Sequence, residues 1–523
     1  MTSGHEREGE AEGPGHLREI GRRDLLKTAG LGAAALGLSG CGLGDAFDSD
    51  SDSGSEAKRS RPRNIVLIVI DTLRPDHVGA YGGSARTPNL DALAGESLRF
   101  TRVYPEAMAT VPARRSIMTA RRVYPFDDWH PWYGMAKRPG WQPLPPGTDN
   151  IATIMKRRGY WTAYVSDNPF LSHSAPFEPF RRTWDRYVRV LGQRGERRDA
   201  HSVPRREAVI RLPPVMREEH LIWRVRQFLA DNGRGVHESQ HAAARVFRWG
   251  EQVLKQAGGH KPFLLVVDSF SPHELWAPPR KYLDMYTDSE IPGIADVKYT
   301  NSDYLTKEQI RLVKATYAAC LTMVDTWLGH FMRELKRQGR DRDTVVGLVS
   351  DHGVFLGEHE LTGKSDSYLF EELIHVPLML RSPDGRAAGR KSDYFATTVD
   401  MGPTLMSMAG HEPPESLDGT DLSPLLDGEK PAAERPFAYG GYANFSFVRE
   451  DRWKLIARND KSWNMLFDMQ ADPHESRELS RRNPEVVRRL WRQLLERTDS
   501  RPPRYSKSFM DSAPREPPKS WYL

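Results

Sequence analysis

The sequence predicts a doubly wound α/β fold, with a mixed sheet flanked by helices and a smaller C-terminal α+β subdomain. Continuous apolar, β-branched runs recur along the chain and are typical of buried parallel strands. Helical stretches lie between these runs, and strands that alternate with helices indicate this class of fold. Near the end, short strand-like segments and one amphipathic helix follow a proline-containing boundary, which predicts the second subdomain.

Four apolar runs are the predicted central strands: Asn64–Ile70, Trp161–Val165, Phe263–Val267 and Val345–Val349. The clearest helix is Lys307–Arg337, where apolar residues fall on one stripe and Gly339 follows the end. Cys320 lies on that stripe, so we interpret it as a core residue rather than a reactive thiol. Ligands of doubly wound sheets gather at the carboxyl ends of the strands, so polar residues directly after the runs are candidates for a site.

The composition excludes several classes of protein. The chain has 523 residues with 38% hydrophobic and 28% charged residues, values that exclude collagen, coiled coil and wholesale disorder. Two cysteines exclude a disulfide scaffold and a Cys-rich zinc site. A formal net charge of +5 is too small over this length to indicate a nucleic-acid partner.

The first sixty residues read as an export signal and a tether. Arg22-Arg23 precedes an apolar run of small residues that is shorter than the roughly 20 residues needed to span a bilayer. We therefore predict a twin-arginine signal peptide over residues 1–40 and a flexible Ser/Asp/Gly-rich linker over 41–62. Leu38-Ser39-Gly40-Cys41 resembles a bacterial lipobox, and the alternative is an ordinary cleavage site.

These features predict where the protein acts. We expect export across the bacterial inner (cytoplasmic) membrane and a lipid anchor at Cys41 that holds the protein on the outer side of a membrane. We assign residues 63–430 to a catalytic domain and 436–523 to the C-terminal subdomain. Within the former, the arginine-rich range 171–245 is either an insertion or lid over the site, or an irregular solvated surface.

Polar groups with metal-binding chemistry follow two of the predicted strands. Asp71 directly follows the first run, and Asp351-His352 comes shortly after the fourth. Carboxylate and imidazole groups at neighbouring strand ends can reach one divalent ion. The alternative for Asp71 alone is a loop or helix-capping residue.

A hydroxyl and an arginine are placed to complement such a metal. Pro112 suits the first turn of a helix, which puts Thr110 near the positive helix end and Arg114 one turn further on the same face. This arrangement could attack and bind a tetrahedral oxyanion. His273 and Lys364 also follow strand-like segments, although a lone His or Lys is more often structural.

Taken together, these motifs resemble the sulfatase-like branch of the alkaline phosphatase superfamily over about residues 63–500. The stretches that carry the resemblance are Asn64–Tyr81, Thr87–Asp91, Thr110–Thr119, Gly159–Ala163, Pro262–Pro279, Val349–Pro377, Val399–Leu426 and Asp468–Glu475. The resemblance implies an alkaline-phosphatase-like fold. It also implies that Asp71, Asp351 and His352 bind one divalent cation (Ca²⁺, Mn²⁺, Mg²⁺ or Zn²⁺), with Thr110 in contact with it.

The resemblance further implies catalytic roles. Thr110 would be the nucleophile and Arg114 would steady both it and the substrate oxyanion. His273 and Lys364 would contact the transferred group or protonate the leaving oxygen.

The chain departs from the sulfatase pattern at three places. Sulfatases carry Cys or Ser at position 110, oxidised to formylglycine, and a Thr cannot yield that aldehyde because its β-carbon bears a methyl. Thr72 stands where the family has a second Asp. The family's Lys-x-His is replaced by Asp167-Asn168-Pro169, and Asp167 would repel an anion unless it is paired or turned away.

We therefore predict a metal-dependent ester hydrolase or transferase with a Thr nucleophile, and the lack of a formylglycine precursor favours phosphoester or phosphodiester chemistry. One alternative is a true sulfuric ester hydrolase of the arylsulfatase type. A second is a catalytically silent surface protein that binds anionic glycans or lipids. The expected substrate is a small-molecule, glycan or lipid ester, and the sequence gives no indication of the oligomeric state.

Overall fold

The structure is a computed structural model that describes residues 63–129, 138–173, 175–193, 197–233, 237–260 and 262–506. These residues belong to one compact unit, Ser60–Leu523. The predicted signal peptide and linker, with Arg22, Arg23 and Cys41, lie outside the described residues. Within the described ranges, no helix is both long enough and apolar enough to cross a membrane.

Strands in the described residues form three sheets. In chain order they are β1 Asn64–Ile70, β2 Leu98–Phe100, β3 Trp161–Ser166, β4 Arg186–Arg189, β5 Phe263–Ser269, β6 Thr300–Asn301, β7 Thr344–Val349, β8 Phe355–Leu356, β9 Leu361–Gly363, β10 Leu378–Arg381, β11 Lys391–Ser392, β12 Phe437–Tyr442, β13 Phe445–Glu450, β14 Trp453–Arg458 and β15 Asn464–Asp468.

Helices connect and cover these strands. They are α1 Pro88–Gly95, α2 Thr110–Thr119, α3 Ile151–Lys156, α4 Pro169–His173, α5 Glu178–Arg182, α6 Arg205–Val209, α7 Glu219–Asp231, α8 Ala242–Ala257, α9 Arg280–Leu283, α10 Lys307–Arg337, α11 Glu371–Ile374, α12 Met401–Met408 and α13 Pro484–Arg497. Short 3-10 turns lie in the connections.

The main sheet has eight strands in the order β11-β2-β10-β7-β1-β5-β3-β4. Strands β7, β1, β5, β3 and β4 are parallel, whereas β10 runs antiparallel to both β7 and β2. The predicted doubly wound mixed sheet is therefore confirmed. The four central strands are those predicted from the apolar runs, with ends that differ by at most two residues.

The core lies on both faces of this sheet, because alternate residues of β1 enter two different clusters. Ile65 and Val69 pack on one face, while Val66 and Ile70 pack on the other. Helix α10 covers the second face, and Cys320 is buried there, as predicted. A capping box between Thr306 and Gln309 begins this helix, which ends at the predicted residue, Arg337.

The C-terminal subdomain is a four-stranded antiparallel sheet in the order β12-β13-β14-β15, packed against α13. Range 171–245 contains two kinds of structure. Strand β4 belongs to the edge of the main sheet, and α6 and α7 build a separate apolar cluster that includes Leu212 and Phe228. This cluster also contains Leu275, which follows β5.

Candidate active site

Strand register brings the candidate metal ligands together. Val69 of β1 is aligned with Val349 of β7, and two residues further along each strand direction lie Asp71 and Asp351. The side chains of Asp71, Asp351 and His352 are fully buried, and their ligand atoms all lie within 4.8 Å of one another. The sheet thus assembles the three ligands predicted from sequence.

Thr110 is the first residue of α2 and lies beside this cluster. Its Oγ1 is 3.2 Å from His352 Nε2. His352 Nδ1 lies 2.8 Å from the carbonyl oxygen of Gly353, and a carbonyl accepts only, so Nδ1 carries the proton. The Nε2 lone pair therefore faces the Thr110 hydroxyl. Burial lowers the pKa of His352 below its usual value, which favours this neutral form.

Arg114 lies among three buried carboxylates. Its Nε and Nη2 donate to Asp268, with Nη2 at 2.7 Å, and Nη1 lies 3.0 Å from Asp71 Oδ2 and donates to Asp351 Oδ2. Burial alone would lower the pKa of Arg114, but these three charges raise it well above its usual value. The guanidinium is therefore charged and held in one orientation.

Asp268 is a site residue that the sequence analysis did not select. Besides Arg114, its carboxylate accepts hydrogen bonds from Tyr164 at 2.8 Å and from Ser166 at 3.0 Å. It lies in β5 directly after the predicted run Phe263–Val267. The signal was available, because a carboxylate after an apolar run is the pattern that selected Asp71.

The residues present fit a divalent cation. Both oxygens of Asp71 are buried and accept no hydrogen bond, although Oδ2 has the ion pair with Arg114. Burial and the neighbouring charge of Asp351 raise the pKa of Asp71 well above its usual value. A buried carboxylate oxygen with no partner is rare, so Oδ1 of Asp71 is suited to a position beside a cation. Carboxylate, imidazole and hydroxyl donors suit Mn²⁺, Mg²⁺, Ca²⁺ or Zn²⁺.

A second acidic cluster in the described residues contains His359, Glu372 and Glu475. The ammonium of the buried Lys454 already lies 2.8 Å from Glu475 Oε1. His359 is 3.2 Å from Glu372 and stacks on Phe370. We interpret this cluster as an ion-paired structural network, since it holds its own cation.

One cavity is lined by Lys364, His273 and Glu274. The Lys364 ammonium donates to both oxygens of Glu274, at 2.8 and 2.9 Å, and the Tyr299 hydroxyl donates to the same carboxylate. His273 Nδ1 contacts the backbone oxygen of Glu274. Sequence reasoning missed Glu274, whose charge balances that of Lys364, although it directly follows His273 in the chain.

These side chains open into a cavity of about 450 Å³. Among the lining residues are Thr110, Arg138, Trp141, Met216, Leu221, Arg224, His273, Glu274, Lys298, Tyr299 and Lys364. Met216, Leu221 and Arg224 come from the range 171–245, so part of that range borders the cavity. Arginine and lysine side chains from several segments make its wall suited to an anionic ester.

Comparison with known proteins gives the family. The sulfatase family matches residues 63–411, and the family described as N-sulphoglucosamine sulphohydrolase, C-terminal, matches residues 357–500. The chain belongs to the sulfatase family of the alkaline phosphatase superfamily. It is an ester hydrolase of the sulfatase type, as the sequence motifs predicted.

The proteins that this sulfatase-family chain resembles are named for more than one reaction. An arylsulfatase of Clostridium perfringens is 25% identical over 79% of this chain and 89% of its own length. A phosphonate monoester hydrolase of Agrobacterium radiobacter has a similar fold, with a TM-score of 0.63 at 22% identity over 84% of this chain and 96% of that one. A solved structure in complex with D-glucosamine-2-N,6-O-disulfate has a TM-score of 0.62 at 20% identity. The match covers 87% of this chain and 100% of that one.

The structure shows the surroundings of two residues at which this sulfatase-family chain departs from the family pattern. Asp167 is buried, accepting hydrogen bonds from Gln193 at 2.7 Å and from the Phe270 amide at 2.6 Å. Its carboxylate is therefore hydrogen-bonded within the protein, although both donors are neutral and do not cancel its charge. Thr72 has a left-handed backbone (φ +54°) and a buried hydroxyl without a partner, while its amide donates to Asp351.

Proposed function

We propose that this protein is a metal-dependent hydrolase or transferase of phosphoric or sulfuric esters in which Thr110 is the nucleophile, with phosphoric esters favoured. The single observation that carries the proposal is the position of Thr110 Oγ1. It lies 3.2 Å from His352 Nε2, at the start of α2 and on the wall of the cavity. A hydroxyl beside a base and a helix N-terminus is the arrangement that activates a nucleophile.

Asp71, Asp351 and His352, with Thr110, are the residues that would hold the metal ion. When bound, a divalent ion lowers the cost of ionising a neighbouring hydroxyl and offsets negative charge on the ester oxygens. The His352 Nε2 lone pair can accept the Thr110 proton or bind a cation, but not both at once. Its neutral form serves either role.

Arg114 orients the nucleophile and the substrate. Asp268 anchors its guanidinium, and Nη1 lies 3.4 Å from the backbone oxygen of Thr110, where Arg114 would bind an ester oxygen as charge develops. His273 and Lys364 line the cavity and are the candidates to contact the transferred group or protonate the leaving oxygen. Glu274 would hold the Lys364 ammonium in position through its two hydrogen bonds.

The chemistry of a threonyl intermediate favours phosphorus. A formylglycine adduct can eliminate its sulfate, whereas an ester on Thr110 has no such route and must be attacked at phosphorus or sulfur. Attack at phosphorus is feasible in enzymes that use this kind of nucleophile. Sulfuric ester hydrolysis is the second candidate, supported by the family and by the arylsulfatase and disulfated-glucosamine relatives.

A substrate panel with purified full-length protein tests the proposal. The esters are p-nitrophenyl phosphate, bis(p-nitrophenyl) phosphate, p-nitrophenyl phenylphosphonate and p-nitrophenyl sulfate, each with Mn²⁺, Mg²⁺, Ca²⁺ or Zn²⁺ and with a chelator. We expect phosphoester turnover that needs the metal. Thr110→Ala should lower kcat/KM about a thousandfold or more, while Thr110→Ser keeps a measurable part of it.

Thr119→Ala is the matched control, because Thr119 is buried at the other end of α2 and bonds only the backbone of its own helix and the adjoining turn. It should retain wild-type turnover. Turnover of sulfate alone, lost in Thr110→Ala, would replace the first candidate by the second. Undiminished turnover in Thr110→Ala would refute the nucleophile, and no turnover with any ester and metal would favour a binding protein for anionic glycans or lipids.

We also propose that the protein is exported and lipid-anchored. The support is the sequence alone: Arg22-Arg23, the short apolar run and Cys41 after Gly40. An anchored enzyme outside the cytoplasm would act on esters that reach the cell surface, which fits small-molecule, glycan or lipid substrates.

A further inference from the structure

Glu274 places a negative charge in the wall of the catalytic cavity. The residue lines the cavity but is only 4% exposed, and the Lys364 ammonium donates to both of its carboxylate oxygens, at 2.8 and 2.9 Å. A carboxyl group whose two oxygens both accept hydrogen bonds is ionised. Lys364 therefore faces the cavity as one half of an ion pair whose net charge is zero.

Neighbouring side chains hold the Glu274 carboxylate against Lys364. The Tyr299 hydroxyl donates to it, and the Lys364 ammonium lies 4.7 Å from the centre of the Tyr299 ring. That ring packs closely on Gly363, where a Cβ would lie 2.2 Å from Cδ1 of the tyrosine. His273 Nδ1 lies 3.4 Å from Glu274 Oε2. Because these contacts come from several segments, the negative charge of Glu274 is a fixed part of the wall.

The charge of Lys364 also reaches the cluster of candidate metal ligands. Burial raises the pKa of Asp71, and the charge of Lys364 is among those that oppose this rise. Lys364 and Thr110 line the same cavity. An ester held at Thr110 would therefore interact with Lys364 and, through the same range of distances, with the carboxylate that Lys364 contacts.

The two charges of this ion pair have opposite effects on a bound anion. Repulsion from Glu274 offsets much of the attraction to Lys364, so the pair stabilises each negative charge of an ester only weakly. The second negative charge of a phosphomonoester would lose its hydration beside Glu274, and a desolvated charge without a cation of its own is costly. Phosphodiesters, phosphonate monoesters and sulfate monoesters carry one negative charge and avoid this cost.

Other cations of the cavity wall attract anions in general. Arg224 lies 3.6 Å from Asp296 in a second ion pair of the wall. Arg138 donates to the Tyr442 hydroxyl at 3.1 Å, and Lys298 also lines the cavity. These side chains suit the cavity to an anionic ester, whereas Glu274 sets the net charge beside Lys364.

We propose that Glu274 selects substrates by charge, so that this site takes singly charged esters in preference to doubly charged phosphomonoesters. The inference rests on the proposed function only in placing an ester beside Thr110 and Lys364. Phosphodiesters and sulfate monoesters have the same charge, so the selection applies to either reaction at this site. It makes Glu274 a specificity-determining residue in addition to a partner that positions Lys364.

Two ligands of the same shape isolate the effect of charge. Phenyl sulfate has one negative charge, whereas phenyl phosphate has two at pH 8, because the second pKa of a phosphate ester is about 6. Calorimetric titration of Thr110→Ala with Mn²⁺ measures both dissociation constants without turnover. We expect phenyl sulfate to bind roughly tenfold more tightly or better, and the additional change Glu274→Gln to reduce this preference by roughly tenfold.

Hydrolysis gives a second measurement with a common leaving group. Methyl p-nitrophenyl phosphate is singly charged and p-nitrophenyl phosphate is doubly charged at pH 8, and both release p-nitrophenolate. Glu274→Gln should lower the ratio of kcat/KM for the methyl ester to kcat/KM for the monoester by roughly tenfold. Glu274→Asp keeps the charge and should keep the ratio, which separates loss of charge from a disturbed fold.

Glu238→Gln is the matched control. Glu238 also has a lysine and a tyrosine hydroxyl as partners, Lys281 at 2.8 Å and Tyr282 at 2.6 Å, but it does not line the cavity. Both ratios should stay at the values of the parent protein.

Equal ratios in Glu274→Gln and Glu238→Gln would overturn the proposal, as would tighter binding of phenyl phosphate, or binding of neither ligand, when Glu274 is present. A binding preference that follows Glu274 without turnover of any ester would instead refute the proposed reaction and support the charge selection. Phosphoester turnover with a ratio that Glu274→Gln leaves unchanged would do the reverse.

Discussion

Arg114 shows how one side chain can satisfy several buried charges. Three carboxylates without a cation in this core would be strongly unfavourable, and the planar guanidinium reaches all three from fixed directions. An ammonium on a flexible stem cannot make the same set of contacts. The residue therefore contributes to stability as well as to the proposed chemistry.

Arg114→Lys should lower the free energy of unfolding by about 2–4 kcal/mol, because at least one buried carboxylate loses its partner. Urea unfolding with and without divalent ion measures this change. Arg115→Lys is the neighbouring control, since Arg115 pairs with the half-exposed Asp128 and should cost about 1 kcal/mol. Equal losses in the two variants would contradict the special role of Arg114.

The burial of Asp167 should make the stability of the folded protein depend on pH. Burial raises the pKa of Asp167 from 3.8 to about 6, despite the hydrogen bonds from Gln193 and Phe270. The folded protein then binds more protons than the unfolded chain between these pH values. Stability contributed by this group is therefore present below pH 4 and is lost as the pH rises to about 6.

Asp167→Asn removes this titration while keeping an acceptor for the Phe270 amide. Between pH 4 and pH 7, the unfolding free energy of the variant should increase relative to that of the wild type by up to about 3 kcal/mol. Urea unfolding across this range measures it.

Asp185→Asn is the control, because the pKa of Asp185 is shifted in the opposite direction to that of Asp167. Burial opposes the shift, but hydrogen bonds from Lys156 and Thr162 lower the pKa of Asp185. Its wild-type contribution is present above the unfolded pKa of 3.8 and is lost at lower pH, so the stability difference between this variant and the wild type should stay nearly constant from pH 7 to pH 4. A difference independent of pH for Asp167→Asn would show that its carboxyl is not desolvated in the folded state.

At the scale of elements, the contact between α1 and α10 depends on a glycine. Asp325 of α10 accepts from the amides of Asn89 and Leu90 and from the Asn89 side chain, which satisfies the start of α1. One turn later, Gly329 faces Asn89. A Cβ at position 329 would lie 2.1 Å from Asn89 Oδ1.

Gly329→Ala should therefore destabilise the protein by about 1–3 kcal/mol, although Ala is the better helix former by about 1 kcal/mol. The double variant Gly329→Ala/Asn89→Ala removes the clash, so it should be more stable than the sum of the two single changes. Urea unfolding of the four proteins measures this coupling. Additive losses would contradict the steric explanation.

Site residues that directly follow the central strands β1, β3, β5 and β7 were predictable from the sequence, and those in loops were not. Asp71, Asp351 and His352 follow apolar runs, and parallel strands align their carboxyl ends whatever the rest of the fold does. Asp268 followed the same rule but was not selected. Glu274 lies in a loop, and its partner Lys364 is distant in sequence, so no local pattern pairs them.

At the scale of the whole molecule, the predicted lipid anchor and export signal can be tested by changing the residues that define them. Cys41→Ala should move the protein from the membrane fraction to the soluble fraction of exported proteins and abolish labelling with a radioactive fatty acid. Changing Arg22 and Arg23 together to Lys should keep the protein inside the cell. Fractionation and labelling of cells that express each variant measure both effects.

Cys320→Ala is the control for the labelling experiment. Cys320 is buried in the core, where burial raises the pKa of its thiol, so it should neither be acylated nor alter localisation. Membrane retention of Cys41→Ala would leave an ordinary cleavage site as the better interpretation.

The sequence by itself determined the fold class, the four central strands, helix α10 and the cluster of candidate metal ligands, because all of these depend on local periodicity and on residues placed after strands. Only the tertiary structure decided how the charges are balanced. It pairs Arg114 with Asp268 and Lys364 with Glu274, and it gives the buried Asp167 hydrogen bonds from Gln193 and the Phe270 amide. The physical reason is that charge balance in a core depends on distances between segments far apart in sequence, which no local pattern encodes.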